Sequence, residues 1–195
     1  VQLRFAIGLT GEQYVSQQAW RQASLECCPL HPHGGCEFHR HGNYERKYPD
    51  GVRVARWYCR TGHRPFSLLP DALSSRLSGT LAEAEEVVMA MEHAPSQEAA
   101  AQHIRTDIEL PGALRWMRRR QQLIAVALLA LIGLLPQLLS GAQPSVQSFR
   151  SRLEVAPVLP RLRGLGAGYL GQLGPPLGFG PHYKRRPPPT PRVQQ

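Results

Sequence analysis

"CPLHPHGGCEFHRHGNYERKYPDGVRVARWYCRTGH", residues 28–63, contains three of the chain's four cysteines and five of its eight histidines. Pro, Gly and Asn interrupt any helical period across it. "VRVARWYC" (52–59) instead reads as a strand, with Val52, Val54, Arg56 and Tyr58 on one side and Arg53, Ala55 and Trp57 on the other. The turn "YPDG" (48–51) precedes that strand, so an antiparallel hairpin over about 38–59 is expected. So short a segment has little core of its own, and a metal held by soft ligands at the hairpin's ends can replace one.

Ligands for such an ion come from two tight knuckles. The second knuckle reads Cys59-Arg-Thr-Gly-His63, with Gly62 able to take a left-handed turn. The first is open to two readings. Cys28 and Cys36 enclose seven residues, whereas Cys28 and His31 form a tighter Cys-x-x-His pair. The predicted set is Cys28, Cys36, Cys59 and His63, because thiolates bind zinc strongly and Gly34-Gly35 lets the chain fold back onto Cys36. Cys27 and His31 are the reserve ligands, and His33, His39 and His41 are read as exposed polar residues. Four ligands close a tetrahedron, so the expected cofactor is a structural Zn2+ and the expected protein is not an enzyme. The His-x-Glu and Pro-Cys-x-x-Cys signature of zinc deaminases is absent from the sequence.

Charge is distributed in blocks within a net charge of +9. Residues 38–66 carry seven Lys/Arg against Glu45 and Asp50, whereas 81–109 carry seven acids against Arg105. Arg115, Arg118, Arg119 and Arg120 follow without an acid among residues 112–122, and eight Lys/Arg face only Glu154 from residue 150 onward. This layout points to a polyanion-binding surface with an acidic helical segment between its parts. Four cysteines in 195 residues are too sparse for a disulfide scaffold, and no cleavable signal peptide opens the chain as given, so a cytoplasmic, nucleoid-associated setting is expected.

Outside the hairpin the pattern is mostly helical. "VQLRFAIGL" (1–9) suggests a short strand, and Thr10 with Gln13 forms a capping box for a helix over about 11–26. Residues 67–77 read as a short helical turn. Thr80 with Glu83 opens a helix over about 81–93, Ser96 caps one over about 97–105, and Pro111 suits the first turn of a fourth. On that fourth helix Arg115, Arg118, Arg119 and Gln122 fall on one face, and Leu123–Leu135 is apolar all round. A last short helix is expected from Ser145 to about Glu154. The expected organisation is an N-terminal strand and helix (1–26), a metal-binding module (27–69), a helical region (70–154) and a mostly disordered Gly/Pro/Arg-rich tail (155–195).

The stretch "RHGNYERKYPDGVRVARWYCRTGHRPFSLLPD" resembles the N-terminal zinc ribbon of bacterial insertion-element transposases, and the chain is similar to a transposase-like bacterial family in which "CPxHPxGGC" and "LPGALRW" recur together. The matching residues are Arg40-His41-Gly42, Arg56 to Cys59 and Pro65-Phe66-Ser67. Gly62-His63 stands where the transposase pattern has Cys-Gly, which shifts the last ligand by one position. The resemblance implies a small α+β protein: a zinc-ribbon hairpin module, then a mainly helical helix-turn-helix-like bundle, then the tail. It also implies double-stranded DNA as partner, with Arg115, Arg118, Arg119 and Gln122 on a recognition helix and Arg53, Arg56, Arg60 and Arg64 on the backbone. The catalytic carboxylates of a transposase are missing, since Glu154 is the only acid after residue 109. Homodimerisation through Leu123–Leu135 is a further expectation. The alternative reading is membrane anchoring through residues 123–139, for which the thirteen-residue apolar run is short of the roughly 20 that a bilayer needs.

Overall fold

The computed structural model describes residues 1–180 of the chain. It is a small α+β protein in which a four-stranded mixed sheet packs beside a helical region. The strands are β1 (Gln2–Phe5), β2 (Phe38–Glu45), β3 (Arg53–Cys59) and β4 (Arg64–Pro70), in the order β1-β4-β3-β2. The expected hairpin is present: β2 and β3 pair antiparallel with Phe38 opposite Cys59 and Glu45 opposite Arg53. A register shift between Arg40 and Asn43 marks a bulge, where Gly42 takes a φ of 71°.

Two local expectations are corrected here. The helical turn expected over 67–77 is absent: residues 64–70 form a strand, in which Phe66 and Leu68 point together into the sheet's core, and 71–77 hold no helix. Pro70 ends that strand beside Phe5 of β1. The expected helix over 11–26 stops early: α1 spans Gly11–Ser16, and a 3₁₀ turn follows at Ala19–Arg21 after Gln18 adopts a left-handed φ of 48°. Tyr14, Trp20 and Ala23 still face the sheet, where they join Trp57, Phe66 and Leu68 in one core.

The helical region holds α2 (Leu81–His93), α3 (Gln97–Ile104), α4 (Leu110–Leu134), α5 (Pro136–Leu139), α6 (Val146–Leu153) and α7 (Val158–Leu165). Thr80 and Glu83 complete the predicted capping box of α2, and the Ser96 and Ser145 side chains cap α3 and α6. Val87, Met91, Ala100, Ala101, Ala113 and Met117 form a compact core among α2, α3 and α4. Farther along α4, Ile124, Ala127, Leu128 and Leu131 are buried against α2, α6 and α7. No helix among the described residues is long and apolar enough to cross a membrane.

The tail reading is corrected for residues 155–180, while 181–195 lie outside the described residues. Val158, Leu159, Leu162, Leu170, Leu173 and Leu177 are buried in the main helical core, and Phe179 packs against both that core and the sheet's. Prolines there bound structure rather than prevent it. Pro157 immediately precedes α7, and Pro160 lies in its first turn, where the missing amide would have had no partner inside the helix.

Acidic residues of α2 hold the starts of α6 and α7 in place. The fully buried Glu85 carboxylate accepts the amides of Val158 (2.9 Å) and Leu159 (2.8 Å) at the start of α7 and pairs with Arg150 at 2.5 Å. Glu92 likewise accepts the amides of Val146 and Gln147 at the start of α6, each at 3.0 Å. Part of the acidic block is therefore spent on helix N-termini. Arg163, also fully buried, ties the segment to the sheet. It donates to the carbonyls of Leu177 and Pro176 on one side and to those of Pro70, Asp71 and Leu73 on the other.

Candidate functional site

The hairpin and its flanks bring Cys28, His31, Cys36 and Cys59 together, with one ligand atom of each lying within 4.8 Å of all the others. His31 Nδ1 is 3.6 Å from Cys28 Sγ and 3.5 Å from Cys59 Sγ. This group of residues can hold a metal ion. Three of the four predicted ligands are in it, and the fourth is the reserve His31 rather than His63.

Local backbone geometry explains the exchange. Cys28-Pro-Leu-His31 closes on itself, with the His31 amide donating to the Cys28 carbonyl at 3.0 Å, so both side chains of the tight knuckle face inward. Gly34 (φ 84°) and Gly35 (φ 79°) then reverse the chain and return Cys36 to the site, as the sequence suggested. At the second knuckle the left-handed residue is His63 (φ 47°), not Gly62. Its ring is exposed and lies by Tyr58, with Nδ1 3.5 Å from the phenolic oxygen, away from the cysteines. Gly62 has a different duty: its amide donates to Cys59 Sγ at 3.2 Å. Cys27 is exposed and takes no part in the cluster.

Crowding three thiols has an electrostatic consequence. Burial alone would raise Cys28, but hydrogen bonds with His31, the backbone of Leu30 and His31, and Cys59 outweigh it and bring the thiol down to about 6. Burial, then its neighbours Cys28 and Cys59, push the Cys36 thiol up to about 12. The three sulfurs do not share negative charge easily, and a cation among them removes that conflict.

The basic residues separate into surface and structural groups. Arg53, Arg60 and Arg64 are exposed around the sheet, Arg60 pairing with Glu37 at 2.9 Å. Arg56 is half-buried, its guanidinium carbon 5.8 Å from the centre of the Tyr44 ring. Arg115, Arg118, Arg119 and Gln122 are all exposed on α4, with Arg118 donating to Gln97 at 2.7 Å.

Other arginines bond to the protein's own backbone or stack on its aromatic rings. Arg40 caps the carbonyls of Trp20, Arg21 and Ala23 and lies over Trp57, while Arg46 donates to the carbonyls of Ser74 and Leu77. Arg120, passed over by the sequence reading of the basic face, is 6% exposed and stacks on Trp116 with its guanidinium carbon 3.5 Å from the ring centre. Its position was legible in part, since residue 120 shares the helical stripe of Ala113, Met117 and Ile124. The chain matches no family model, no curated protein and no solved structure.

Proposed function

We propose that the protein binds double-stranded DNA, with a structural zinc ion at Cys28, His31, Cys36 and Cys59 and a recognition surface on α4. The observation that carries the DNA reading is the exposed face of Arg115, Arg118, Arg119 and Gln122 on a helix whose opposite side is fixed in two cores. Guanidinium forks suit guanine edges and phosphates, and a Gln amide suits adenine. The α2–α3–α4 packing supports a helix-turn-helix-like reading, with residues 105–109 as the turn.

Zinc is favoured by the spacing of the donors. A tetrahedral ion with Zn–S near 2.3 Å and Zn–N near 2.05 Å requires sulfur–nitrogen edges of about 3.5–3.6 Å. Two of the three S···N edges, from His31 to Cys28 and to Cys59, are 3.6 and 3.5 Å. With three thiolates and an imidazole filling the tetrahedron, the ion's role is to fix Cys28–Cys36 against the end of β3. A transposase-related accessory, regulatory or remnant protein fits this combination of a Cys/His cluster beside the sheet and an exposed basic face on α4.

A homodimer through α4 is favoured by one specific observation. Val126 and Leu129 remain 58% and 61% exposed, while Ile124, Ala127, Leu128 and Leu131 of the same apolar run are buried in the core. Light scattering on wild type and Leu129→Asp tests it: a dimer that the substitution dissociates supports the contact, and a wild-type monomer at high concentration removes it.

The DNA reading is tested by measuring affinity for random duplexes across a salt series with wild type and Arg115→Gln/Arg119→Gln. The expected result is strong salt dependence in the wild type, reduced by roughly 0.9 in the log–log slope for each phosphate that the variant no longer neutralises. Affinity that the double substitution leaves unchanged would remove α4 from the interface.

A further inference from the structure

A second feature of the basic helix is a shallow cavity of about 320 Å³ between the turn before α2 and the flank of α4. Arg76, Ser78, Arg115, Trp116, Arg119 and Arg120 line it, and no acidic residue does. Four arginines around one small space repel one another, and no acid of the cavity's lining offsets that repulsion. Arg120 is the clearest case. It is nine-tenths buried, donates to Ser78 Oγ at 3.1 Å, rests on Trp116, and forms no ion pair among the described residues. Burial, followed by Arg105 and Arg119, lowers its pKa to about 10. The nearby acid, Glu83, is already engaged by the Tyr48 hydroxyl and the Thr80 amide.

Arg76 adds an independent sign. Its φ is 53°, in the left-handed region that a long side chain seldom adopts, where Gly or Asn would be the cheaper choice. An arginine held there at an energetic cost, in the lining of a cavity with three more, matches the way strained residues gather at ligand clamps.

We propose that Arg76, Arg115, Arg119 and Arg120 form a phosphate seat, with Ser78 as a neutral hydrogen-bonding partner, that takes a backbone phosphodiester of the bound duplex. The phosphodiester assignment rests on the DNA reading above; the seat itself does not. Guanidinium forks match phosphate oxygens in pairs, and an anion here relieves a repulsion already built into the protein. In this arrangement Arg115 and Arg119 anchor the backbone, and Arg118 and Gln122 are left to meet base edges.

Arg76→Asn is the informative substitution, because Asn accepts a left-handed backbone more readily than Arg and folding should be preserved. Two measurements on the full chain go together: duplex affinity across a salt series, and the melting temperature in orthophosphate against chloride at matched ionic strength. Phosphate stabilises proteins generally by exclusion from their surface, so the readout is the difference between wild type and variant.

The expected result is an extra phosphate-dependent rise in the wild type that Arg76→Asn loses. Affinity should also fall by the same factor on every duplex sequence, with a salt slope smaller by about one. A phosphate-dependent rise lost in the variant, without duplex binding by either protein, would keep the seat for free phosphate groups while overturning the phosphodiester assignment and the DNA reading. Duplex binding with an unchanged slope and no difference in phosphate response would overturn the seat while the DNA reading stood. Retention of the full phosphate response in Arg119→Gln would also overturn it, since that residue lines the same cavity.

Discussion

Replacing His31 and His63 in turn separates the two ways of completing the metal site. His31 Nδ1 lies 3.6 and 3.5 Å from two of the three cysteine sulfurs, whereas His63 is exposed and faces Tyr58. With free zinc buffered at about a thousand times its dissociation constant, binding adds about 4 kcal/mol to the stability of the native state. His31→Ala leaves three ligands, and if affinity then drops below the buffered level, nearly all of that contribution goes. At about 2–4 °C per kcal/mol for a chain of this size, the melting temperature should fall by about 8–16 °C. His63→Ala gives up one long hydrogen bond at the surface and should stay within about 0.5 kcal/mol, or about 2 °C. Calorimetry in a zinc buffer, with elemental analysis of the same samples, reads both quantities. Wild type treated with chelator should melt where His31→Ala melts with or without chelator. Loss of metal in His63→Ala with retention in His31→Ala would refute the ligand assignment and restore the set in which His63 joins the three cysteines.

Metal uptake should also release protons. At pH 7 the Cys28 thiol, held at about 6, is already mostly ionised, while Cys36, pushed up to about 12, must give up its proton to bind. Affinity should therefore rise with pH through neutrality, and should fall more steeply below about pH 6 as Cys28 also regains a proton; titrations in buffers of different ionisation enthalpy would count the protons, and a count of zero would contradict the expectation. Gly35→Ala should cost about 1–2 kcal/mol, because a Cβ at φ 79° is strained even where space is open, and should weaken metal binding by misplacing Cys36. Equal urea midpoints and metal affinities for variant and wild type would speak against that role. Glu85→Ala should destabilise by about 3–5 kcal/mol, since it strips a buried carboxylate from Arg150 and leaves the first amides of α7 without acceptors. A small urea shift would mean that α7 is held by apolar packing alone.

The hairpin, the capping boxes and three of the four residues of the candidate metal cluster were legible because each depends on neighbours in sequence. Thr80-x-x-Glu83 caps a helix whatever surrounds it, and Gly34-Gly35 permits a reversal wherever it occurs. His31 and His63 could not be ranked by spacing, because the choice turns on which residue of the second knuckle takes the left-handed conformation. That residue proved to be His63, and its ring was thereby turned outward.

Residues 155–180 were hidden for a different reason. Gly and Pro dominate their composition, while the contacts that order them come from far away: Glu85 lies 73 residues before Val158, and Leu73 accepts from Arg163 across 90. The strand β4 was likewise missed because its pairing partners are β3 and the chain's first residues. In both cases tertiary contacts overrode a local tendency. The charge blocks were visible in sequence, but which arginines serve the surface was not. Arg40, Arg46 and Arg163 are committed to carbonyl groups, a distinction that composition does not carry.

The most direct single measurement is duplex DNA affinity against salt concentration on a preparation whose zinc content is determined in parallel, before and after chelation. One zinc per chain at Cys28, His31, Cys36 and Cys59, with log affinity falling against log salt at a slope of roughly −3 or steeper, is the predicted result. A chain that folds fully without metal and shows no salt-dependent binding to duplex DNA would contradict both halves of the account.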